Sequence, residues 1–294
     1  MRISVTGSKG FIGELLVKVL KVPLENQWDT KTATEQNLVL PKAREDISKS
    51  SDVIIHLAAI SGVKACEDNP KEAYAFNTNA TIELAKAAKK AGVKRFIFAS
   101  SSAVYGETSR FLIDETHPVN PRNVYGRTKS EAEKIWTLED DNFEIIITRK
   151  SNVYGHGMRF KGETVLDNFI SNYLANKDIQ IQGTGSQRRD FVHIMDVTRL
   201  YAKLATLDKV RSGIYNIGGA NNVSMRELAN IVNDIGESIF GYRVSIVHKG
   251  NDTSSGWHDF RYDYSKAKME FQYSPAFTLD DYIKERMMDY LRNS

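Results

Sequence analysis

The sequence predicts an α/β protein with a doubly wound parallel sheet and a second, smaller lobe. A glycine-rich loop follows a short apolar strand near residue 1, and a helical stretch follows the loop. Two later apolar runs have the continuous hydrophobicity of parallel strands buried on both faces, and a long helical stretch separates them. This alternation of strands and helices in the first half of the chain is typical of βαβ units.

The composition is that of an ordinary globular protein, with 41% hydrophobic and 26% charged residues. A net charge of +3 is too small to indicate a nucleic acid or a membrane surface as a partner. No apolar run approaches the roughly 18 residues of a membrane span, and no secretory signal precedes the first strand. The single cysteine, Cys66, excludes an internal disulfide and fits a reducing compartment. We therefore expect a cytoplasmic protein with no nucleic-acid partner, no membrane partner and no bound metal.

The first strand, at residues 3–5, is followed by a loop with glycines at positions 7, 10 and 13 and by a helix over 14–21. In a dinucleotide site the first glycine allows a tight turn, the second lets the backbone approach the pyrophosphate, and the third allows close helix packing. The helix N-terminus then offers unpaired N–H groups to the phosphates. The predicted cofactor contacts in this loop are Gly7, Gly10, Phe11, Ile12 and Gly13.

Residues 26–29 form a possible second strand, which makes Asp29 a candidate partner for the adenosine ribose hydroxyls. A plain loop aspartate is the alternative. Lys9, a cation inside the glycine loop, could meet a 2′-phosphate instead. Both NAD and NADP therefore remain open as the cofactor.

The two buried apolar runs lie at residues 52–59 and 95–99. The first ends in small residues, which would let a cofactor lie against the carboxyl end of the strand. The long helical stretch between the runs covers residues 70–91 and carries an asparagine that we assign to the same site. The predicted cofactor contacts of this part are Leu57, Ala58, Ala59 and Asn77.

Two short stretches carry residues suited to proton transfer. Serines 100, 101 and 102 follow the second buried strand, at the edge where parallel sheets bind ligands. Tyr125 and Lys129 are four residues apart, so they lie one helical turn apart on the same side of a helix. If that side faces a cleft, the Lys129 ammonium would lower the pKa of Tyr125 below its usual value of about 10 and make it a general base. Taken alone, such a pair is most often a solvated helix face.

These motifs resemble those of the extended short-chain dehydrogenase/reductase family, which contains the NAD(P)-dependent epimerases, dehydratases and reductases of nucleotide sugars. The resemblance covers nearly the whole chain. It implies a Rossmann domain, a smaller substrate-binding lobe, and a nucleotide sugar as the substrate. The matching motifs are TGSKGFIG at 6–13, SSSAVYG at 100–106, YGRTK at 125–129, TRKSNVYG at 148–155, GTGSQRRDFVH at 183–193, YNIGG at 215–219 and YSKA at 264–267.

The resemblance also implies a role for each matching residue. Tyr125 would be the catalytic acid/base, and Lys129 would tune it and hold the nicotinamide ribose. Ser101 would hydrogen-bond the reacting oxygen. Arg189 would bind the diphosphate, for which a fixed cation with forked donors is suited. The predicted substrate contacts are Ser101, Tyr125, Asn152 and Arg189, with Ser102 as a second choice because of its spacing.

Three positions depart from the family pattern. Family dehydratases carry an Asp-Glu pair directly after the catalytic hydroxyl, whereas Ser102 and Ala103 stand here, which argues against a dehydratase. The second diphosphate-binding arginine of many members is replaced by the sequence His-Lys-Gly-Asn at 248–251. Gln182 stands where an aromatic often stacks on the base. The nucleotide, whether uridine, thymidine, guanosine or cytidine, therefore remains open.

The resemblance leaves two reactions open. A nucleotide-sugar 4-epimerase would oxidise and re-reduce C4 of a hexose, whereas a 4-keto-6-deoxyhexose reductase would use the same residues once and consume NADPH or NADH. Lys9 and the rather short chain favour the reductase; the serine motif and the QRRDFVH stretch favour the epimerase, which we take as the leading function. A non-catalytic dinucleotide-binding sensor is a third alternative. Retention of both Tyr125 and Lys129 argues against it.

The resemblance also predicts the arrangement of the chain. Residues 1–150 are expected to form the NAD(P)-binding domain, and residues 151–294 mainly the sugar-nucleotide-binding lobe, with the chain crossing back between them. The substrate should lie in the cleft between the two. Family members commonly dimerise through two helices per subunit, here at 70–91 and 124–138, so we expect a homodimer.

Overall fold

The computed structural model describes residues 1–29, 37–106, 111–156, 164–250 and 260–293. The strands are β1 (Ile3–Thr6), β2 (Gln27–Trp28), β3 (Val53–His56), β4 (Arg95–Ser101), β5 (Leu112–Ile113), β6 (Glu144–Lys150), β7 (Asn152–Tyr154), β8 (Ile179–Gln182), β9 (Arg188–His193), β10 (Gly213–Ile217), β11 (Asn221–Ser224), β12 (Ile246–Lys249) and β13 (Arg261–Tyr262). The α-helices are α1 (Phe11–Leu20), α2 (Pro41–Lys49), α3 (Val63–Asp68), α4 (Pro70–Ala73), α5 (Ala80–Lys90), α6 (Val124–Ala132), α7 (Val165–Leu174), α8 (Ile194–Thr206), α9 (Met225–Phe240), α10 (Ser265–Phe271) and α11 (Leu279–Asn293). Segments of 3-10 helix cover Leu24–Asn26, Ser102–Val104 and Glu133–Leu138, and a π-helix covers Tyr74–Asn79.

The largest sheet has six parallel strands in the order β10-β6-β4-β3-β1-β2. The strand order reverses at β1, because β2 lies on one side of it and β3 on the other. The predicted doubly wound parallel sheet is confirmed. Ligands of such sheets bind beyond the carboxyl ends of the strands at this reversal, which is where the glycine loop leaves β1.

Apolar side chains cover both faces of this sheet. Ile55 belongs to a buried cluster with residues of α1 and α8, whereas its neighbour Ile54 belongs to a cluster with residues of α5. Consecutive side chains of a strand point to opposite faces. A continuous apolar run is therefore what a strand buried on both faces requires, and this explains the strand pattern seen in the sequence.

Two predicted elements are shorter than expected or are interrupted. The apolar run at 52–59 is a strand only over Val53–His56, so its small residues lie just beyond the carboxyl end. The predicted helix at 70–91 is interrupted by the π-helix Tyr74–Asn79. Single turns of π-helix are frequent at functional sites. Here the irregular turn contains Asn77, whose side chain bonds the loop after β3.

The remaining strands form smaller sheets with the orders β11-β9-β7, β12-β8 and β13-β5. The first two surround a third buried cluster together with α7, α9 and α11. Strand β10 and helices α8 and α10 come from the second half of the chain but pack on the large sheet. The division of the chain at residue 150 stays a prediction.

Two further properties relate to the composition. Cys66 lies buried in α3, and its Sγ donates to the Ile60 carbonyl at 3.3 Å. Across the described ranges, every helix is too short or too polar to cross a membrane.

Candidate active site

The glycine loop between β1 and α1 is a close-packed turn at the carboxyl edge of the large sheet. Gly7 has a φ of +69°, and its N–H donates to the Trp28 carbonyl at 2.8 Å. A Cβ on Gly13 would lie 2.1 Å from the Gly7 carbonyl oxygen, and one on Gly7 would lie 2.9 Å from the Ala58 nitrogen. Helix α1 begins at Phe11, so the N-terminus of the helix directly adjoins this loop. The loop therefore fits a dinucleotide, whose pyrophosphate needs a bare backbone and a helix N-terminus.

Lys9 and Asp29 form an ion pair beside this loop, with Lys9 Nζ 3.2 Å from an Asp29 carboxylate oxygen. Asp29 directly follows β2, and its side chain is 18% exposed, whereas that of Lys9 is 63% exposed. Gly10 is the N-cap residue of α1, and Ile12 packs on the core beneath the loop. The structure thus brings together the two residues that the sequence assigned to opposite cofactor preferences.

The Asn77 side chain hydrogen-bonds the backbone of the segment after β3. Its Oδ1 accepts the Ile60 N–H at 2.8 Å, and its Nδ2 donates to the Ile60 carbonyl at 3.0 Å and to the Thr128 hydroxyl at 3.2 Å. Asn77 is fully buried. It therefore links helix α6 to Ile60, directly after Leu57, Ala58 and Ala59.

Helix α6 carries Tyr125 and Lys129 and is anchored at its N-terminus by two side chains. The Asn123 side chain accepts the N–H of Gly126 at 2.7 Å, as an N-cap residue should. The Glu67 carboxylate accepts the N–H of Val124 at 2.8 Å. Glu67 lies 57 residues earlier in the chain, so no local pattern could have revealed this second anchor.

Close packing brings Ser101 to the tyrosine of α6. A Cβ on Gly126 would lie 2.5 Å from the Ala103 carbonyl oxygen, so this glycine lets the helix lie directly on the turn after β4. The Ser101 hydroxyl accepts the N–H of Ala103 at 3.2 Å and lies close enough to the Tyr125 phenol to act on its pKa. Ser102 begins the short 3-10 helix that follows. The structure therefore brings Ser101 and Tyr125 together, as the sequence predicts.

Lys129 is almost entirely buried, with 2% of its surface exposed. Its Nζ donates to the Ala99 carbonyl at 2.9 Å and lies 4.8 Å from the centre of the Phe98 ring. Burial lowers the pKa of Lys129 to about 8, and the nearby charges of Cys66 and Glu133 oppose this shift. The ammonium is thus less basic than a surface lysine and titrates near the physiological range.

The pKa of Tyr125 differs from the sequence prediction. Burial raises it to about 12, and the hydrogen bond with Ser101 opposes this shift only partly. The predicted lowering by Lys129 is contradicted, because removal from water outweighs any attraction from an ammonium that is directed at the Ala99 carbonyl. In the protein alone the phenol is therefore protonated at neutral pH and is a proton donor.

Lys150, which the sequence analysis did not single out, is a second buried lysine at this edge. It ends β6, is 9% exposed, and donates from Nζ to the Ser100 carbonyl at 2.7 Å. The Tyr201 ring centre lies 6.0 Å from the same Nζ. A lysine at the end of an apolar strand, next to the SNVYG motif, was the signal that could have found it.

In the smaller lobe, Asn152 and Arg189 share one face of the β11-β9-β7 sheet. Asn152 pairs with Phe191 in the strand register, and Arg189 is two residues before Phe191, so the three side chains point the same way. Asn152 Nδ2 donates to the Asp190 carbonyl at 3.0 Å, and Arg189 Nη1 donates to the Arg188 carbonyl at 3.0 Å. Burial lowers the pKa of the Arg189 guanidinium. An anion beside it would therefore be stabilising.

Arg188 lies on the opposite face of this sheet and has a different environment. Its guanidinium is ion-paired with Glu227 at 3.1 Å and donates to the Asn222 carbonyl at 2.8 Å. The sequence placed two arginines side by side, and the strand alternation separates them. The predicted diphosphate contact, Arg189, is the one on the same face as Asn152.

Gln182 and Lys249 are neighbours in the β12-β8 pair. Beside them, a ring nitrogen of His248 lies 2.9 Å from the Gly183 carbonyl oxygen. The departure from the family pattern at 248–251 is therefore next to the departure at Gln182. Asn251, the last residue of that segment, lies outside the described residues.

A sequence model described as the NAD dependent epimerase/dehydratase family matches residues 3–218. The chain belongs to this family. Membership in the epimerase/dehydratase family confirms the predicted resemblance: the protein is an enzyme that uses NAD or NADP, and its chemistry is that of the nucleotide-sugar epimerases and dehydratases.

Three members or structural neighbours show how far the similarity extends. A provisionally named UDP-glucose 4-epimerase from Methanocaldococcus jannaschii is 32% identical over 99% of each chain. A solved UDP-glucose 4-epimerase from Thermotoga maritima, bound to UDP-glucose, is 26% identical, with a TM-score of 0.84 over 100% of this chain and 99% of that chain. A UDP-glucuronic acid 4-epimerase from Bacillus cereus, solved with UDP-glucuronic acid and NAD, is 28% identical, with a TM-score of 0.82 over the same shares. The fold and the two-lobed architecture are thus those of UDP-sugar 4-epimerases.

Proposed function

We propose that this protein is a UDP-hexose 4-epimerase with Ser101, Tyr125 and Lys129 at its reaction centre. The observation that carries the proposal is the placement of the Ser101 hydroxyl against the Tyr125 phenol, with the Lys129 ammonium buried one turn away. Two hydroxyl groups that meet beyond the carboxyl end of β4 are suited to hold one alcohol oxygen of a sugar. The names of the relatives support both the 4-epimerase reaction and uridine as the nucleotide.

The bound dinucleotide would supply a ring that accepts hydride from C4 and returns it to the opposite face. Tyr125 takes the C4 hydroxyl proton during oxidation and gives it back during reduction. Ser101 holds the same oxygen and orients it toward the phenol. Lys129 would contribute positive charge and hold the ribose next to the ring. Because the phenol pKa is raised by burial, Tyr125 needs cationic surroundings in the complex to act as a base.

The substrate diphosphate would bind to Arg189, with Asn152 beside it on the same face of the β11-β9-β7 sheet. This proposal is supported by their shared face and by the desolvated Arg189 guanidinium. Ser102 and Ala103 occupy the positions of the acidic pair of dehydratases, so neither can act as the acid or base of water elimination. The chemistry therefore stops at the 4-keto sugar and its re-reduction.

The function is tested by incubating the purified protein with UDP-glucose and NAD. An epimerase forms UDP-galactose or another C4 epimer from its substrate with no net change in NADH absorbance, and it purifies with bound dinucleotide. The reductase alternative, which Lys9 in the glycine loop favours, instead bleaches NADPH when given a 4-keto sugar nucleotide and leaves UDP-hexoses unchanged. That second outcome would replace the epimerase proposal.

Lys129 should give the reaction an alkaline limit. Its folded-state pKa is lowered to about 8, so the ammonium is present below that pH and is lost as the pH rises through it. We expect kcat/KM to decline above about pH 8 and the decline to move upward in Lys129→Arg, since a guanidinium stays charged. Normalised pH profiles of the two proteins provide the measurement. An identical alkaline limb in both would assign the limb to another group.

Asp29 should favour NAD over NADP, because its carboxylate can accept the ribose hydroxyls and repels a 2′-phosphate. We expect Asp29→Ala to weaken NAD binding by about tenfold or more, as loss of hydrogen bonds to a charged group does. NADP should weaken less, since the substitution also releases Lys9 from its ion pair. Asp46→Asn, which disrupts an exposed pair with Lys42, is the control. Equal losses for the two dinucleotides in Asp29→Ala would contradict this assignment.

We also propose a homodimer built on the helices around 70–91 and 124–138. Trp136, in the 3-10 helix after α6, is 38% exposed, which supports a contact there. Light scattering should give twice the mass of one chain, and Trp136→Glu should shift the protein toward the monomer. Met269→Glu, at a 75% exposed methionine of α10, should leave the mass unchanged. A monomeric parent protein would end the proposal.

A further inference from the structure

Lys150 occupies a position that the proposed reaction does not use. Its ammonium bonds the Ser100 carbonyl, and Lys129 bonds the carbonyl of the preceding residue, Ala99. Two buried lysines therefore hold consecutive carbonyls at the end of β4, immediately before Ser101. Since ligands of a doubly wound fold bind beyond the carboxyl ends of these strands, both lysines lie at the edge of the sheet where the nicotinamide would bind.

The two lysines reach this edge from opposite faces of the sheet. Lys129 lies over Phe98, which belongs to the buried cluster with α5, whereas Lys150 lies near Tyr201, which belongs to the cluster with α8. Each ammonium is shielded from water by its own cluster.

The groups described around Lys150 stabilise its positive charge only weakly. On β4 it meets the Ser100 carbonyl, and on α8 it meets Tyr201, whose hydroxyl is bonded to the Thr148 hydroxyl at 2.7 Å. The ammonium of Lys129, on α6, is close enough for its positive charge to act on the pKa of Lys150. Burial first, and then this repulsion, hold the pKa of Lys150 well below its usual range.

We propose that Lys150 couples proton uptake to the redox state of the bound dinucleotide: its amine gains a proton when the nicotinamide ring is neutral and loses it when the ring is cationic. The proposal rests on the proposed function, which places the ring beside Tyr125 and Lys129. The proton comes from water and returns to water, while the hydride and the C4 hydroxyl proton follow the epimerase reaction unchanged. The protonation state of Lys150 thereby adjusts how readily the ring accepts hydride. Lys150 acts through its charge and does not touch the reacting atoms.

The measurement is the ratio of the dissociation constants of NAD and NADH, taken by fluorescence titration and competition between roughly pH 6 and 9, below the usual lysine pKa. A protonated Lys150 repels the cationic ring, so the ratio of the NAD constant to the NADH constant should fall as the pH rises. Calorimetry in buffers of different ionisation enthalpy should show that NAD binding releases more protons than NADH binding.

Variants separate charge from structure. Lys150→Met and Lys150→Gln remove the charge, and glutamine keeps an N–H donor for the Ser100 carbonyl, so both should lower the ratio by about tenfold at the acidic end. Lys150→Arg keeps the charge at every pH, so it should raise the ratio by about tenfold at the alkaline end. In all three variants this ratio should depend less steeply on pH, and the remaining pH dependence should be that due to Lys129.

A structural role would shift the neutral and the cationic variants in the same direction, or leave the parent's pH dependence intact in all of them; either result overturns the proposal. If the variants do not fold, the number of protons that the parent protein releases on binding each dinucleotide is the deciding measurement. Equal numbers for NAD and NADH contradict the proposal. Failure of the parent to bind any dinucleotide would instead defeat the proposed function. Epimerisation of UDP-hexose with an unaltered ratio in the variants would defeat only the role of Lys150.

Discussion

In the Tyr125→Phe variant, turnover of the nucleotide sugar falls by about a thousandfold, within the range of roughly 10²–10⁴ that general acid–base catalysis contributes. The phenol is the group that meets Ser101 at the end of β4, and phenylalanine keeps the ring while removing the exchangeable proton. Dinucleotide affinity should change little, since the proposed role of the hydroxyl is toward the substrate. Steady-state rates and a dinucleotide titration, measured on the same preparation, provide the test.

The matched control for this variant is Tyr74→Phe. Tyr74 packs against the same buried cluster of Cys66, Ala73 and Val124 as Tyr125 does, but it comes from the π-helix. Removing the Tyr74 hydroxyl should leave the turnover close to that of the parent protein. Parent-like activity in Tyr125→Phe would mean that the phenol does no chemistry, and the sensor alternative would then regain support.

In the Arg189→Ala variant, the apparent constant for the nucleotide sugar rises by about ten- to a hundredfold. A charge-assisted hydrogen bond contributes roughly 1.5–3 kcal/mol, and each increment of about 1.4 kcal/mol corresponds to tenfold. The effect should be large because the guanidinium is half-buried and partly desolvated, so water screens its attraction to a diphosphate less than at the open surface. The Arg189→Lys variant should restore only part of the affinity, since lysine supplies the charge without the forked donors.

Arg188→Ala is the matched control, because the two arginines are adjacent in the sequence and lie on opposite faces of β9. Arg188 is already paired with Glu227 and should contribute little to binding. Titration of UDP alone against the parent and both variants tests the difference directly. Equal affinities in the parent and in Arg189→Ala would make Arg189 a structural cation, and a larger loss in Arg188→Ala would move the diphosphate to the other face.

The pKa shifts at the centre of the site bear on how these results are interpreted. Burial raises the pKa of Tyr125 to about 12 and lowers that of Lys129 to about 8, so in the protein alone both side chains are less easily charged than on a surface. Both shifts have the same cause, removal from water, which disfavours the charged form of either group. Catalysis as a base therefore requires positive charge near Tyr125 in the complex with the dinucleotide.

The sequence by itself determined the features that depend on local geometry. Glycines at 7, 10 and 13 predicted the turn before α1, because a Cβ at Gly7 or Gly13 would collide with neighbouring backbone. The helix itself begins at Phe11, three residues before the predicted start at residue 14. The four-residue spacing of Tyr125 and Lys129 predicted one helical side, since it matches one turn. The continuous apolar runs predicted a parallel sheet buried on both faces, and the structure confirms it.

Only the tertiary structure decided the features that depend on distant parts of the chain. The pKa direction of Tyr125 was predicted wrongly, because a spacing shows which groups are near each other but not how much water burial removes. The Glu67 anchor of α6 and the carbonyl partner of Lys150 arise from contacts across the fold and have no local pattern. Which of the two arginines, Arg188 or Arg189, shares a face with Asn152 follows from strand register, which is set by pairing with β7 and β11. Local sterics act within a few residues and can be predicted from them, whereas desolvation and charge depend on everything that packs around a group.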